Sequence, residues 1–277
     1  MCAPPQHGCH LPGSLARARQ EGKRSDLQGP DHVILEPLRA FVLAGGLGLR
    51  LRPVVGALPK ALAPVGGRPF LSYVLAYLQR NGVRQVTLCT GYGAAAVRSF
   101  AGSGADWGIH IDYSEEVTPL GTGGAVRLAL ERCTDDRVLV LNGDSYFDIR
   151  LQRLAEAHRD LGGLATLAAR RTAAAGRFGA LTIDPNGRVL EFREKAQDGA
   201  ADINAGIYVL ERSVMDASSA AMPFSLERDV FPALIDGTGG RLKAVVFDGF
   251  FVDIGIPDDH AAMDRDATPL LGGAAPC

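Results

Sequence analysis

The chain has 277 residues, 47% of them hydrophobic and 22% charged, with a formal net charge of −2. That length suits one large α/β domain, or one domain with a modest appendage, and the composition is ordinary for a soluble globular protein. The charge balance gives no field for nucleic acid or an anionic membrane, and no apolar run approaches the ~18 residues of a transmembrane helix, so any phosphate affinity has to be local.

Residues 1–38 carry Pro, Gly, Gln and a few basic side chains without sustained periodicity, and read as a disordered extension. They lack the apolar core and cleavage site of a signal peptide. The five cysteines (Cys2, Cys9, Cys89, Cys133, Cys277) are odd in number and free of C-x-x-C pairs. That pattern is expected of a reducing cytoplasm without a disulfide framework. Cys2, His7, Cys9 and His10 stand at no known zinc spacing.

From Arg39 the rhythm is strand, loop, helix. Phe41 to Leu43 predicts a buried strand. Pro69 to Arg80 predicts a helix with Leu71, Val74, Leu75 and Leu78 on one face, ended by Asn81-Gly82. Strands follow at 85–90, 109–114 and 137–141, alternating with helices at 94–100 and 124–132. This order implies a doubly wound, mostly parallel sheet with ligands at the carboxyl ends of its strands. The later half changes character. Strands at 164–171, 179–183, 189–194 and 203–210, with an Asp184-Pro185-Asn186-Gly187 turn, predict a small antiparallel extension. A helix over 226–235, strands at 242–247 and 250–253, and a helix opened by Pro257 complete the domain at 39–268, leaving 269–277 as a loose tail.

The first strand runs into Ala44-Gly45-Gly46-Leu47-Gly48-Leu49-Arg50-Leu51-Arg52, with Pro59-Lys60 beyond it. Glycines at 45, 46 and 48 let a ligand lie against backbone N–H groups, and Arg50, Arg52 and Lys60 add positive charge. A polyphosphate cradle is the expectation. It is not a P-loop, because Lys60 follows Pro59 and precedes Ala61, nor the dinucleotide fingerprint, because Leu51 stands where the third glycine belongs. A second glycine-rich turn, Leu120-Gly121-Thr122-Gly123-Gly124, leaves room for a planar ring. Asp144 and Asp253 each end an apolar strand, and on one sheet the two could share Mg²⁺.

These stretches together resemble the sugar-1-phosphate nucleotidyltransferases, over about residues 39 to 265. The signature is the A-G-G-x-G-x-R-L loop with its P-K, then P-L-G-T-G-G-A, N-G-D, F-x-E-K (Phe192 to Lys195), N-A-G-I-Y (Asn204 to Tyr208) and D-x-G. The resemblance implies nucleotide contacts at Ala44, Gly45, Gly46, Gly48, Gly121 and Gly123, and Mg²⁺ on Asp144 and Asp253. It implies sugar and sugar-phosphate contacts at Gly179, Glu194, Lys195 and Asn204, and catalysis by Arg50, Lys60, Asp144 and Lys195. Leu49 departs from the family, which usually has Thr or Ser there.

The implied partners are a nucleoside triphosphate and a sugar 1-phosphate, with no nucleic acid or membrane; a homo-oligomer is left open. Ser225 to Pro232 and Phe251 to Asp259 make the pattern most similar to bacterial D-glycero-D-manno-heptose 1-phosphate guanylyltransferases. Mannose-1-phosphate guanylyltransferases and cell-wall-sugar uridylyltransferases are the alternatives. Leu49 also leaves open a non-catalytic homologue that only binds nucleotide-sugar.

Overall fold

The computed structural model describes residues 38–193, 199–216, 221–235 and 240–272. Most of the expected N-terminal extension, together with Glu194 and Lys195, lies outside the described residues.

Strand β1 (Arg39–Leu43) shows why a nearly unbroken apolar run suits this sheet. Its side chains alternate between two sealed faces, Ala40 and Val42 into one core cluster and Phe41 into the other. A short helix α1 (Arg52–Val55) and a small ribbon, β2 (Pro64–Val65) with β3 (Arg68–Pro69), lead into helix α2 (Phe70–Arg80). The four expected apolar positions of α2 are all buried, and Gly82, at φ +81°, follows its end. Then come β4 (Gln85–Thr90), α3 (Ala94–Ala101), β5 (His110–Glu115), α4 (Gly121–Leu130), β6 (Arg137–Asn142), β7 (Ser145–Phe147) and α5 (Leu151–Leu161).

The second half adds β8 (Ala165–Thr172), β9 (Ala180–Ile183), β10 (Val189–Arg193), β11 (Ala201–Glu211) and α6 (Arg212–Asp216). It ends with α7 (Phe231–Ile235), β12 (Leu242–Phe247), β13 (Phe251–Asp253) and α8 (Pro257–Arg265). Among the described residues nine strands form the main sheet. In its centre β6, β1, β4 and β5 run parallel, as the alternating pattern predicts. β11 then joins β6 antiparallel, β8 joins β11 antiparallel, and β12 lies parallel to β8. The β9–β10 hairpin pairs with the start of β11. Its turn is closed by the Asp184 carboxylate, which accepts from the N–H groups of Asn186 and Arg188.

Helices cover both faces. α2, α3 and α5 pack on the cluster containing Ala40 and Val42, while α4, α6 and α7 pack on the one containing Phe41. Four local expectations need correction. Helix α4 begins at Gly121, not Gly124, because Phe224 folds back and its carbonyl accepts from the N–H groups of Gly123 and Gly124, stabilising a first turn made of glycines. Helix α5 was not anticipated, although Leu151, Leu154, Ala155 and His158 are buried at the i, i+3, i+4, i+7 spacing of one helix face.

The segment expected as one helix from 226 to 235 is a wide π-helical turn, Leu226–Val230, followed by α7. Pro232 has no N–H to continue an ordinary ladder. Finally, the chain past 268 is not loose throughout. Thr268–Leu271 forms a 3₁₀ turn and Leu270 is fully buried.

Candidate active site

Leu43, Cys89 and Asn142 lie in register across three parallel strands, so the chain leaves β1, β4 and β6 at one level. The loops beyond them, with the segment after β5, line a cleft of about 720 Å³ at the carboxyl edge of the sheet.

Gly45 and Gly46 of the first loop line that cleft. A Cβ at Gly45 would lie 2.8 Å from Glu116 Oε1, so the tip of that glutamate rests close to the loop. Ala44 differs from its expected role. It is buried, and its N–H already donates to Cys89 O at 2.8 Å, so it anchors the loop and has no donor left for a phosphate. Gly48, at φ +57°, turns the chain, and its carbonyl accepts from Leu51 and Arg52. A Cβ at Gly48 would sit 3.0 Å from Lys60 Cβ, so the lysine stem passes against the loop. Arg50 is exposed at the rim, as is Leu49 with 62% of its surface accessible. Arg52 lies over the Tyr92 ring at 5.4 Å.

The two aspartates do converge, but not on one sheet as expected. Asp144 follows β6 of the main sheet, whereas Asp253 ends β13, which among the described residues pairs with β7 in a separate two-stranded ribbon. The ribbon places Asp253 opposite Ser145, and Ile254 N–H donates to Asp144 O at 3.0 Å. Lys60, its side chain 11% exposed, sets its ammonium between the carboxylates, in contact with Asp144 Oδ2 and 4.0 Å from Asp253 Oδ1.

Burial opposes ionisation of Asp144, but the charge and hydrogen bond of Lys60 outweigh it and hold the carboxyl below its ordinary pKa. Asp253 is pushed the other way, first by burial and then by the neighbouring Asp144 charge. On its far side Asp253 meets Arg177 Nη1 at 3.8 Å, and Arg177 also pairs with Asp259. Charges of opposite sign thus alternate along Asp144, Lys60, Asp253, Arg177 and Asp259. Two hard oxygen donors drawn to one cationic point fit a divalent cation that takes its remaining ligands from phosphate and water. Among the described residues no group of three or more His, Cys, Asp or Glu converges.

The second glycine turn serves packing more than expected. A Cβ at Gly123 would lie 2.3 Å from the Phe224 ring, and one at Gly121 would lie 2.3 Å from Phe224 O. The space beside Gly123 therefore holds a protein ring, while Gly121 and Thr122 line the cleft. A Cβ at Gly179 would lie 3.2 Å from the Phe192 ring, and the Gly179 carbonyl accepts from Asn204 N–H at 2.8 Å. The Asn204 side chain is engaged inside the protein. It donates to Tyr208 OH at 2.9 Å and accepts from Gly206 N–H at 3.1 Å, shaping the irregular stretch of β11. Glu194 and Lys195 lie outside the described residues.

Residues 39–268 match the nucleotidyl transferase family. The chain belongs to that family. This nucleotidyltransferase is 36% identical over 229 residues to D-glycero-alpha-D-manno-heptose 1-phosphate guanylyltransferase of Aneurinibacillus thermoaerophilus, covering 83% of this chain and 98% of that protein. It is 36% identical over 238 residues to mannose-1-phosphate guanylyltransferase of Mycobacterium tuberculosis, covering 86% of this chain and 66% of that protein. Among solved structures it is similar to HddC of Yersinia pseudotuberculosis complexed with GMP-PN, with a TM-score of 0.74 and 31% identity, over 83% of this chain and all of the other.

Two residues of the candidate site were not singled out from the sequence. Glu116 lies one residue past β5 and lines the cleft, its Oε2 accepting from Leu120 N–H at 3.0 Å. Burial raises its pKa above the ordinary value. The available signal was an acid directly after a strand and just before the P-L-G-T-G-G turn. Arg177 was visible as the residue before Phe178-Gly179, but nothing local linked it to Asp253. No helix among the described residues is long and apolar enough to cross a membrane.

Proposed function

We propose that this nucleotidyltransferase transfers GMP from GTP to a sugar 1-phosphate, D-glycero-D-manno-heptose 1-phosphate being the favoured acceptor, and releases pyrophosphate. The acceptor phosphate is already anionic at neutral pH, so no general base is required. The barrier is the approach of two anions, which calls for positioning and charge neutralisation. Gly45 and Gly46 offer backbone to the triphosphate, with open space where a side chain at Gly46 would stand. Lys60 and Arg50 neutralise it and assist departure of pyrophosphate in an in-line displacement. Lys195 holds the incoming sugar phosphate, with Glu194, Gly179 and Asn204 on the sugar side. Asp144 and Asp253 would hold Mg²⁺, which supplies neutralisation of α-phosphate charge when bound.

Glu116 is the observation that carries the choice of base. A carboxylate offers two acceptors and no donor. Guanine presents adjacent N1–H and N2–H donors on its Watson–Crick edge. Uracil presents one N–H between two carbonyls, and adenine places an acceptor beside its amino group. A half-buried carboxylate lining the cleft therefore favours guanine and leaves unmatched acceptors against the others. The guanylyltransferase relatives support the same reading.

The test is pyrophosphate release over a matrix of four nucleoside triphosphates and several sugar 1-phosphates, heptose and mannose included. GTP with the heptose phosphate is expected to give the highest kcat/KM. Faster turnover with UTP or with mannose 1-phosphate selects one of the alternatives. Nucleotide-sugar binding without release from any pair makes the protein a non-catalytic binder.

A further inference from the structure

Lys60 spans two places that a metal–nucleotide complex needs at once. Its stem lies against Gly48 of the phosphate-facing loop, and its ammonium occupies the gap between the two carboxylates that would hold the cation. The fit is close on the far side as well. A Cβ at Gly255 would stand 2.7 Å from Lys60 Nζ and 2.5 Å from Asp253 Oδ1, so both side-chain ends lie close against that glycine. The loop before β2, the end of β6 and the end of β13 are thereby joined through one cationic group.

We propose that Lys60 is an internal counter-ion that couples metal binding to triphosphate binding. Without nucleotide it neutralises Asp144 and Asp253 and keeps a divalent cation out. With nucleotide it exchanges those carboxylates for phosphate oxygens and releases the site. This rests on the assignment of Asp144 and Asp253 as the metal carboxylates, and it adds an order of events to that assignment.

The physical argument is one of charge balance in a poorly solvated place. A cation entering the gap alone would displace the ammonium into the cleft wall with no partner, and an unpaired, largely buried charge is strongly unfavourable. Triphosphate brings anionic oxygens to the loop that the lysine stem already touches, so the ammonium finds new partners by turning about its own stem. Each ligand makes room for the other, which is positive coupling between two sites. By linkage the metal must tighten nucleotide by the same factor that nucleotide tightens metal. Arg177 stays with Asp253 and Asp259 and keeps part of the negative charge balanced during the exchange.

The test uses the full chain, Mn²⁺ as the probe and a non-hydrolysable GTP analogue, with free Mn²⁺ read by electron paramagnetic resonance. Wild type is expected to bind Mn²⁺ weakly alone and roughly tenfold or more tightly with the analogue, within the usual range of such couplings. Lys60→Gln, which removes the charge, is expected to bind Mn²⁺ alone roughly tenfold more tightly than wild type and to show a correspondingly smaller nucleotide effect, the part due to phosphate ligands on the metal remaining. Lys60→Arg keeps a cation and should keep the weak nucleotide-free affinity. Circular dichroism and melting establish that each variant is folded. Nucleotide-free Mn²⁺ affinity in Lys60→Gln no better than in wild type overturns the coupling, as does an equal gain in Lys60→Arg. Retained Mn²⁺ binding in a Lys60→Gln, Asp144→Asn double variant overturns instead the assignment of the carboxylates on which the coupling rests.

Discussion

Ile254 donates its backbone N–H to the carbonyl of Asp144 at 3.0 Å, and this bond fixes the distance between the two carboxylates of the site. It is made by main chain, so changing either side chain leaves it in place. Asp144→Asn and Asp253→Asn are therefore expected to retain the fold, since an amide oxygen at 144 still accepts from Lys60 and one at 253 still accepts from Gly255 N–H. Turnover should fall by on the order of a hundredfold or more, the scale on which removing one preorganised electrostatic group acts. Pyrophosphate release with Mg²⁺ present checks the first expectation, and thermal melting the second. Near-wild-type rates in either variant would remove that residue from the metal site.

Glu116→Gln tests the reading of the base. The amide presents a donor where guanine also donates, and hydrogen bonds to a charged group are worth roughly 1.5–3 kcal/mol. The expected result is a loss of about tenfold to a hundredfold in kcat/KM for GTP, with a smaller change for UTP. Equal losses for both nucleotides would show that Glu116 shapes the loop and does not read the base.

Leu49 is the one position in the glycine loop that departs from its own motif. If the loop had adapted to leucine, the side chain would pack on a neighbouring apolar surface, yet 62% of it is exposed. Removing it should cost little, since substitutions at exposed positions usually change stability by under ~0.5 kcal/mol. A threonine hydroxyl reaching a phosphate oxygen should tighten GTP by about tenfold, the equivalent of roughly 1.4 kcal/mol. Calorimetric titration of Leu49→Thr decides this, and unchanged affinity would show that backbone donors already suffice.

The fold was legible where one period dominated. The buried strands of the parallel centre and the four-residue face of α2 follow directly from apolar spacing. Helix α5 was equally periodic, but it lies in a charged stretch, L-Q-R-L-A-E-A-H-R-D-L, whose polar face masks the pattern. The site was legible in its parts and not in their assembly. Asp144 and Asp253 stand out as acids after apolar runs, while the ribbon that brings them together depends on two three-residue strands far apart in the chain. Glu116 and Arg177 gain their meaning only from neighbours that spacing does not reveal.

His158 gives a pH dependence away from the cleft. It is buried on α5, with Nε2 at 3.0 Å from Glu211 and Nδ1 at 2.8 Å from the Thr166 hydroxyl. Burial, with help from the Arg137 charge, lowers its pKa despite the pull of Glu211. The unfolded chain therefore takes up this proton first as pH falls. Stability is full above the unfolded value of about 6.5 and declines below it, with a slope of at most ~1.4 kcal/mol per pH unit, until the folded pKa is passed. Urea unfolding midpoints for wild type and His158→Gln between pH 7.5 and 5 check this. The decline starting near pH 6.5 is expected in wild type and absent from the variant, and a flat wild-type profile would contradict it.

Phe224 fills the space left by Gly123 and takes the N–H groups of Gly123 and Gly124 on its carbonyl. The two segments have therefore lost the freedom to vary one at a time. A larger residue at 123 is tolerable only in company with a smaller one at 224, and a larger one alone unseats the start of α4. Inheritance should treat the pair as one unit, and grafting the G-T-G-G turn into another scaffold would succeed only if its aromatic lid travelled with it.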